Sequence, residues 1–257
     1  MLKGTLPVAT LKMCCDILTE LDNEATFTFN EGININLSDA SNVTLASIDV
    51  GLQAFESYEC DRETELGMPL QKLSKIVGFG DTGQLISFEL DEETRNLEID
   101  VDDVHMSMSL IDPASIRSSQ EPPDVSAKMK TTFATEAGTL KRAYKATEIV
   151  FADLPPSSSG RSSFVSDADS NTIELRAEGD TDDVNFEFND SNTIMTDVEA
   201  TSRTLISNDY LYSIIKPIKK STEVTIKFGN EAPVVFNHEF GAGVEVKHML
   251  APRIESQ

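Results

Sequence analysis

Short stretches in which polar and apolar residues alternate recur along most of the chain. The longest, TFTFNEGININL, places five large apolar side chains on one parity: Phe27, Phe29, Ile33, Ile35 and Leu37. The same alternation occurs in GQLISFEL, LEIDVDD, HMSMSLI, NTIELRAEG, DVNFEF, EVTIKF and GVEVKHML. The turn-forming groups NEG, DTG, DEETRN, DADSN, EGDTDD and GAG separate these stretches. A period of two predicts half-buried strands, and such tight connections favour antiparallel sheets.

Four segments instead carry apolar residues at the spacing of an amphipathic helix. They are Pro7–Leu21, Pro69–Phe79, Glu136–Ile149 and Ser207–Lys220. In the last segment Ser207 is predicted to be the N-cap, and Pro217 should end or kink the helix. Short helices among many strands predict an α+β fold.

The order of these segments repeats halfway along the chain. Each half has a helix, several strands, a second helix and more strands, and ends in an apolar-to-proline motif, LIDP or MLAP. Leu66 lies 47 positions before Pro113, and Leu205 lies the same distance before Pro252. This repetition predicts an internal duplication into two similar domains. The predicted parts are an N-terminal domain at 1–113, a connecting loop at 114–127 and a C-terminal domain at 128–257.

Two segments rich in proline or small polar residues are predicted to be loops. The connection between the domains begins after Pro113 and contains Pro122 and Pro123. The segment PPSSSGRSS, at 155–163, has the composition of an exposed, mobile loop at the tip of a hairpin.

The charge of the chain is strongly acidic, with 44 Asp and Glu against 21 Lys and Arg and a formal net charge of -23. The acids are spread through segments that also carry strand patterns, which argues against disorder. A dispersed acidic surface indicates a protein from a halophile, and an ordinary acidic protein is the alternative. The three cysteines, Cys14, Cys15 and Cys60, fit neither a disulfide framework nor a zinc site. The N-terminus lacks the apolar core of a signal peptide, and no run is long enough to span a membrane, so a cytoplasmic protein is expected.

The basic residues are concentrated in the four predicted helical segments. These segments contain only five of the 44 acids but nine of the 21 bases, so their net charge is +4 while that of the remaining chain is -27. The nine bases are Lys12, Lys72, Lys75, Lys141, Arg142, Lys145, Lys216, Lys219 and Lys220. Helices tolerate lysine well, but they would tolerate glutamate equally well. The concentration of bases in the helical segments therefore indicates one surface that faces a polyanion. Because no aromatic residues interleave with the bases, sequence-independent contact with phosphates is expected.

The sequence gives little support to catalysis. His105, His238 and His248 lie in strand-like segments without a neighbouring nucleophile motif, and the chain has no Gly-rich phosphate loop. Clusters of acids at 91–93, 102–103 and 180–183 could hold magnesium in a metal-dependent nucleic-acid hydrolase, but in so acidic a chain they are expected to be solvated surface. We therefore expect a protein that is not an enzyme and has neither cofactor nor metal.

Several motifs, in this order over the whole length, resemble the sliding clamps of the proliferating cell nuclear antigen (PCNA) family in its archaeal form. They are SDASNVTLASIDV, FESYEC, LIDPASI, RAEGDTDDV and the C-terminal MLAPRIES. The resemblance implies two similar domains and three chains that close head to tail into a ring, with helices lining the hole and sheets outside. It implies a DNA polymerase processivity factor that encircles duplex DNA without sequence preference. An accessory, viral or repair-specialised clamp scaffold is the alternative within this class.

The resemblance also assigns residues to two contact surfaces. The subunit joint would pair the strands at 105–111 and 183–188, with His105, Met106, Met108, Leu110, Val184, Phe186 and Phe188. The front-face pocket would be lined by Val43, Leu45, Pro122, Pro123, Val125, Pro233, Met249, Ala251 and Pro252. For each apolar pocket residue, packing in the core is the alternative. Met249 stands where the family commonly has an aromatic residue, and Asp209 stands where it often has a base.

The partners implied by the resemblance are duplex DNA, further copies of the chain, and enzymes that carry a short hydrophobic motif. These enzymes are the clamp loader, DNA polymerase, flap endonuclease and DNA ligase. The implied location is the prokaryotic cytoplasm, in association with the nucleoid, with no membrane partner.

Overall fold

The computed structural model describes residues 1–117, 121–152 and 160–254. Within these ranges the chain has four α-helices and eighteen β-strands, which confirms the predicted α+β fold. Residues 155–159 of the predicted mobile loop at 155–163 lie outside the described residues. The prediction is wrong for its last three residues, 161–163, which begin a strand at Arg161–Asp167 with Ser162 and Ser163 buried. No helix in the described ranges is long and apolar enough to cross a membrane.

The chain divides into two compact units. The first comprises Met1–Ala40, Leu45–Pro122 and Glu239–Val246, and the second comprises Ser41–Thr44, Pro123–His238 and Lys247–Gln257. Both units thus include a short segment from a distant part of the sequence. The sequential boundaries at 113 and 128 stay a prediction.

The first half of the chain consists of a strand, a helix, five strands, a helix and three strands. The strands are β1 (Leu2–Pro7), β2 (Glu24–Asn30), β3 (Gly32–Ser38), β4 (Thr44–Gly51), β5 (Ser57–Cys60), β6 (Thr64–Pro69), β7 (Leu85–Asp91), β8 (Asn96–Val101) and β9 (Val104–Ser109). The helices are α1 (Val8–Leu18) and α2 (Leu70–Val77). Antiparallel pairing produces the strand orders β5-β1-β7-β8-β9 and β4-β3-β2-β6.

The hairpin of β2 and β3 shows how the alternation builds this unit. Phe27 lies opposite Ile35 and Phe29 opposite Ile33, and all four side chains are buried. Gly32 ends the turn at a φ of 129°, a conformation that other residues rarely adopt. The alternating apolar residues of the sequence thus form the core face of the sheet, and α1 and α2 pack against this face.

The second half repeats the same order of elements. The strands are β10 (Thr131–Glu136), β11 (Arg161–Asp167), β12 (Thr172–Glu178), β13 (Asp183–Phe188), β14 (Met195–Val198), β15 (Ser202–Ser207), β16 (Glu223–Phe228), β17 (Val234–Glu239) and β18 (Val244–Leu250). The helices are α3 (Ala137–Val150) and α4 (Asn208–Ile215). Strand orders within this unit are β14-β10-β16-β17 and β13-β12-β11-β15. The shared order of elements supports the predicted duplication.

Several predicted element ends differ from the observed ones. Helix α4 ends at Ile215, two residues before Pro217, so Lys216, Lys219 and Lys220 follow the helix rather than belonging to it. Ser207 precedes α4 but makes no side-chain capping hydrogen bond. The strand predicted at 105–111 is β9, which ends at Ser109; Ile111 instead forms an isolated bridge with Gly67.

Candidate nucleic-acid interface and contact surfaces

Helix α3 separates its apolar and basic residues onto different faces. Its buried side chains are Ala137, Leu140, Ala143, Tyr144 and Thr147. Arg142 and Lys145 are exposed, and their separation of three residues places them on one face. The helix therefore presents positive charge to solvent while its other face packs into the core of the second unit.

Lys141 has a different environment from the other two bases of α3. Its Nζ donates hydrogen bonds to the backbone carbonyls of Lys216, at 3.0 Å, and Ile218. A cation at this position complements the carbonyls at the C-terminal end of α4. Burial lowers the pKa of Lys141, and the charge of Lys220 lowers it further. Lys141 therefore joins α3 to the end of α4, and less of its charge is available to an external ligand.

Arg142 connects the basic face of α3 to strand β13. Its guanidinium carbon lies 5.9 Å from the centre of the Phe186 ring, within the range of a cation–π contact. Phe186 is one of the residues predicted at the subunit joint. The charge of Arg142 therefore lies beside an outer strand of its sheet.

The exposed face of α4 carries Tyr212, contrary to the expectation that no aromatic residue lies among the bases. Asp209 and Tyr212 are exposed at helical spacing, followed by the exposed Lys216. The Tyr212 ring stacks on Tyr144 at 5.0 Å between centroids. The distribution of charged residues does not point to Tyr212. Its spacing of three residues from Asp209 does place both side chains on the same face of the helix.

The first unit contributes a smaller set of exposed bases. Lys12 on α1 and Lys72 and Lys75 on α2 are all exposed. On α2 the opposite face is buried through Leu70, Leu73, Ile76 and Val77. Exposed acids accompany the bases, with Asp16 on α1 and Glu148 on α3. Within the helix bounds α2 and α3 are positive, whereas α1 carries one base and one acid and α4 carries only Asp209. Most of the nine bases belong to the second unit.

Strands β9 and β13 are each the outermost strand of a sheet. On β9, Nδ1 of His105 lies 2.7 Å from a carboxylate oxygen of Asp100, and Nε2 lies 3.4 Å from Glu98. The hydrogen bond to Asp100 raises the pKa of the exposed His105. An outermost strand leaves backbone donors and acceptors available for pairing with another chain.

The predicted joint residues fall into two groups in the structure. Met108 and Phe188 are buried in the cores of their own units, so their side chains are not available to a neighbouring copy. The side chain of His105 is exposed, and the others are half-buried: Met106, Leu110, Val184 and Phe186. Alternation separates only His105, which lies on the opposite parity from Met106 and Met108. The even-numbered residues of both strands face the cores of their units, and Met108 and Phe188 are the most buried of them.

Most predicted pocket residues belong to the second unit. Met249 is only 5% exposed, so core packing accounts for it. The Ala251 N–H donates to the Val43 carbonyl at 2.8 Å, which ties the C-terminal segment to the segment at 41–44. The half-buried residues in this unit are Val43, Val125, Pro233, Ala251 and Pro252, and Pro123 is exposed. Leu45 and Pro122 are half-buried residues of the first unit.

The remaining histidines and two of the cysteines are structural. His238 and His248 stack inside the second unit with ring centroids 5.8 Å apart, and both are buried. Burial, and secondarily His238, lowers the pKa of His248 to about 3. Burial likewise raises the pKa of Cys15 to about 12. Among the described residues, no group of three or more His, Cys, Asp or Glu is arranged to hold a metal ion.

A duplicated α+β fold with basic helix faces and outermost strands open to pairing defines the class of DNA sliding clamps. The family model described as "Proliferating cell nuclear antigen, N-terminal domain" matches residues 1–111. The DNA polymerase sliding clamps of Natronomonas pharaonis and Haloarcula marismortui are 37% and 35% identical, over 259 and 260 residues that cover 100% of each chain. The chain therefore belongs to the PCNA family of DNA polymerase sliding clamps.

Solved structures agree with this assignment. The structure described as "C-terminal region of FEN-1 bound to A. fulgidus PCNA" is 26% identical, with a TM-score of 0.88 and 100% coverage of both chains. PCNA from Thermococcus kodakaraensis, at 21% identity and a TM-score of 0.86, covers 98% of this chain and 100% of its own and shares the fold. The relatives include clamps of halophilic archaea, which supports the prediction from the acidic surface.

Membership in this family also fixes the general activity. The chain acts as a DNA polymerase sliding clamp, a processivity factor rather than an enzyme, as the sequence predicted.

Proposed function

We propose that three copies of this chain close head to tail around duplex DNA and that the ring tethers replication and repair enzymes. The bases exposed on the helices and just after α4 face the DNA, and β9 of one copy pairs with β13 of the next. A head-to-tail contact that closes produces a ring. The proposed domains are those predicted at 1–113 and 128–257, joined by the loop at 114–127.

The uneven distribution of charge supports this proposal most directly. The segments that contain α1 to α4 carry a net charge of +4 in a chain of -23. Eight of their nine bases are exposed: Lys12, Lys72, Lys75, Arg142, Lys145, Lys216, Lys219 and Lys220. A surface of lysines and an arginine suits contact with phosphates whatever the base sequence.

High salt restricts what these bases can do. At about 1 M salt the Debye length is only about 3 Å, and phosphate contacts weaken steeply with salt. Charge alone would then hold DNA poorly, whereas encirclement holds it by topology. The bases mainly prevent repulsion between an acidic ring and the duplex, so that the ring can slide.

Partner enzymes are proposed to dock through short hydrophobic motifs. The C-terminal region of FEN-1 is seen bound to A. fulgidus PCNA, and this chain is similar to that protein over its whole length. Val43, Val125, Pro233, Ala251 and Pro252 are partly accessible apolar residues suited to such anchors. Clamp loader, DNA polymerase, flap endonuclease and DNA ligase are the proposed partners. The proposed location is the prokaryotic cytoplasm, in association with the nucleoid.

Charge reversal of α3 tests the DNA-facing role. In the double variant Arg142→Glu and Lys145→Glu, we expect shorter products per binding event in a clamp-dependent polymerase assay at high salt. The matched control is Arg62→Glu with Arg95→Glu, which changes net charge equally at exposed positions outside the helices.

The same experiment requires a check on assembly, because Arg142 also contacts Phe186. Sedimentation equilibrium of both double variants establishes whether they still form the oligomer of the unmodified chain. The role of this helix would be contradicted if the α3 variant forms an intact oligomer and its processivity is unchanged. An equal loss of processivity in the control variant would contradict it as well.

A further inference from the structure

We propose that Arg161, Arg176 and Arg203 form a binding site for one phosphate-class oxyanion on the solvent-facing side of the sheet β13-β12-β11-β15. The three arginines line a shallow cavity of about 120 Å³. Ser163, Val165, Glu178 and Leu205 complete its lining.

The strand register brings the three arginines together. Ser163 on β11 lies opposite Arg176 on β12 and opposite Leu205 on β15, and Val165 lies opposite Arg203. Directly opposed side chains project from the same face of an antiparallel sheet. The arginines therefore surround Ser163 from three neighbouring strands, although they are far apart in sequence.

The arginine side chains cover the serine at the centre of this face. Ser163 is only 4% exposed, even though the neighbouring arginines reach solvent. Arg203 Nε donates a hydrogen bond to the Ser163 hydroxyl at 3.3 Å. The hydroxyl and the guanidinium groups are thus positioned around one small depression and supply donors from several directions.

This face lies on the other side of the sheet from α3 and α4. Residues of alternate parity, including Phe164 and Ile206, are buried and pack with the helices in the core of the second unit. The arginine site is therefore separate from the basic faces of the helices. A ligand bound here would not compete with DNA at Arg142 or Lys145.

The chemistry of the cavity favours a single tetrahedral oxyanion. Guanidinium groups present several N–H donors in a planar fork that matches phosphate oxygens. Acids on this face moderate the charge: Glu174 forms an ion pair with Arg176, and Glu178 lies in the cavity wall. Two further acids of β13, Glu187 and Asp183, lie opposite Glu174 and Glu178. A volume of about 120 Å³ is large enough for one small ion. The ligand is free phosphate or a phosphate monoester.

Titration calorimetry of the full-length chain with inorganic phosphate, at constant high potassium chloride, tests the site. Arg176→Gln and Arg203→Gln should each weaken phosphate binding about tenfold or more, since each removes a charge-assisted hydrogen bond. Glu178→Gln should strengthen it by removing a repelling carboxylate. Arg62→Gln, an exposed arginine of the first unit, is the matched control for net charge.

The possible outcomes distinguish phosphate binding at a defined site from general electrostatic attraction of phosphate to the chain. Saturable binding that weakens in both cavity arginine variants and not in Arg62→Gln supports the site. Absence of saturable binding, or equal weakening in the Arg62→Gln control, overturns it. Circular dichroism verifies that each variant is folded, and the gain expected for Glu178→Gln does not depend on any loss of structure.

A competition arm with O-phosphoserine identifies the source of the phosphate group. If O-phosphoserine displaces phosphate, the site accepts a monoester, such as a phosphorylated side chain. If phosphate binds and O-phosphoserine does not displace it, the ligand is the free ion.

Discussion

At the scale of single residues, two histidines respond to pH in opposite directions. His248 is buried against His238 and has a pKa of about 3, well below its value in an unfolded chain. The unfolded chain therefore binds a proton below about pH 6.5 that the folded chain rejects until about pH 3. Lowering the pH through this window should remove up to about 1.4 kcal/mol of stability per pH unit through this group.

Replacing His248 with Phe should remove that dependence. We expect the variant to lose less stability than the unmodified chain between pH 6.5 and 4.5, because its side chain cannot be protonated in the unfolded state. Denaturant unfolding at each pH and constant salt measures the difference. Parallel stability curves for the two proteins over this range would show that His248 is not the responsible group.

His105 provides a control of opposite sign. Its pKa is raised, chiefly by the hydrogen bond to Asp100, so its contribution is present at low pH and is lost as the pH rises through its folded pKa. His105 is fully exposed, and solvent screens this contribution. His105→Gln should therefore leave the acid-side loss caused by His248 in place.

At the scale of elements, Gly67 on β6 occupies a position with no room for a side chain. A Cβ there would lie 2.3 Å from the Ile111 carbonyl oxygen, and the Ile111 N–H donates to the Gly67 carbonyl at 2.9 Å. We expect Gly67→Ala to lower the free energy of unfolding by roughly 1–3 kcal/mol, as overpacking does. Denaturant melts measure this loss.

The control for this substitution is Gly83→Ala in the same unit. A Cβ at Gly83 has nothing within 4 Å, so the change should be close to neutral. Equal stability of the two variants would show that the bridge between Gly67 and Ile111 can shift without cost.

Strands and helices could be predicted from sequence where a single periodicity dominates. The segment at 183–188 was predicted as a strand and is β13, and the alternating run at 26–37 became β2 and β3. The residues at which helices and strands end were harder to predict, because they depend on individual side chains near each end. Pro217 has no N–H and clashes with a preceding helical turn, so α4 stops at Ile215 and the following lysines lie outside it.

The candidate site was predictable only in part for the same physical reason. Helical spacing places Arg142 and Lys145 on an exposed face, but it does not reveal that Lys141 turns toward the carbonyls after α4. The helical spacing between Asp209 and Tyr212 does predict that Tyr212 is exposed. The arginines around Ser163 come together through strand register, which the spacing of residues along one chain does not encode.

At the scale of the whole molecule, the acidic surface and the ring impose opposite requirements. Each chain carries a formal net charge of -23, so three chains in one assembly repel one another. In the proposed ring, pairing of β9 with β13 and contact of apolar side chains would have to overcome that repulsion. Salt determines the balance, because it screens the repulsion between exposed charges and leaves backbone pairing largely intact.

The assembly should therefore depend on salt in the direction opposite to DNA binding. Raising the salt from about 0.1 M to about 1 M shortens the Debye length from about 10 Å to about 3 Å. We expect sedimentation equilibrium to show a trimer at high potassium chloride and a shift toward monomer at low salt. DNA contacts should weaken over the same range. A monomer or dimer at all salt concentrations would contradict the ring, and a trimer equally stable at low salt would show that the acidic charges do not oppose its closure.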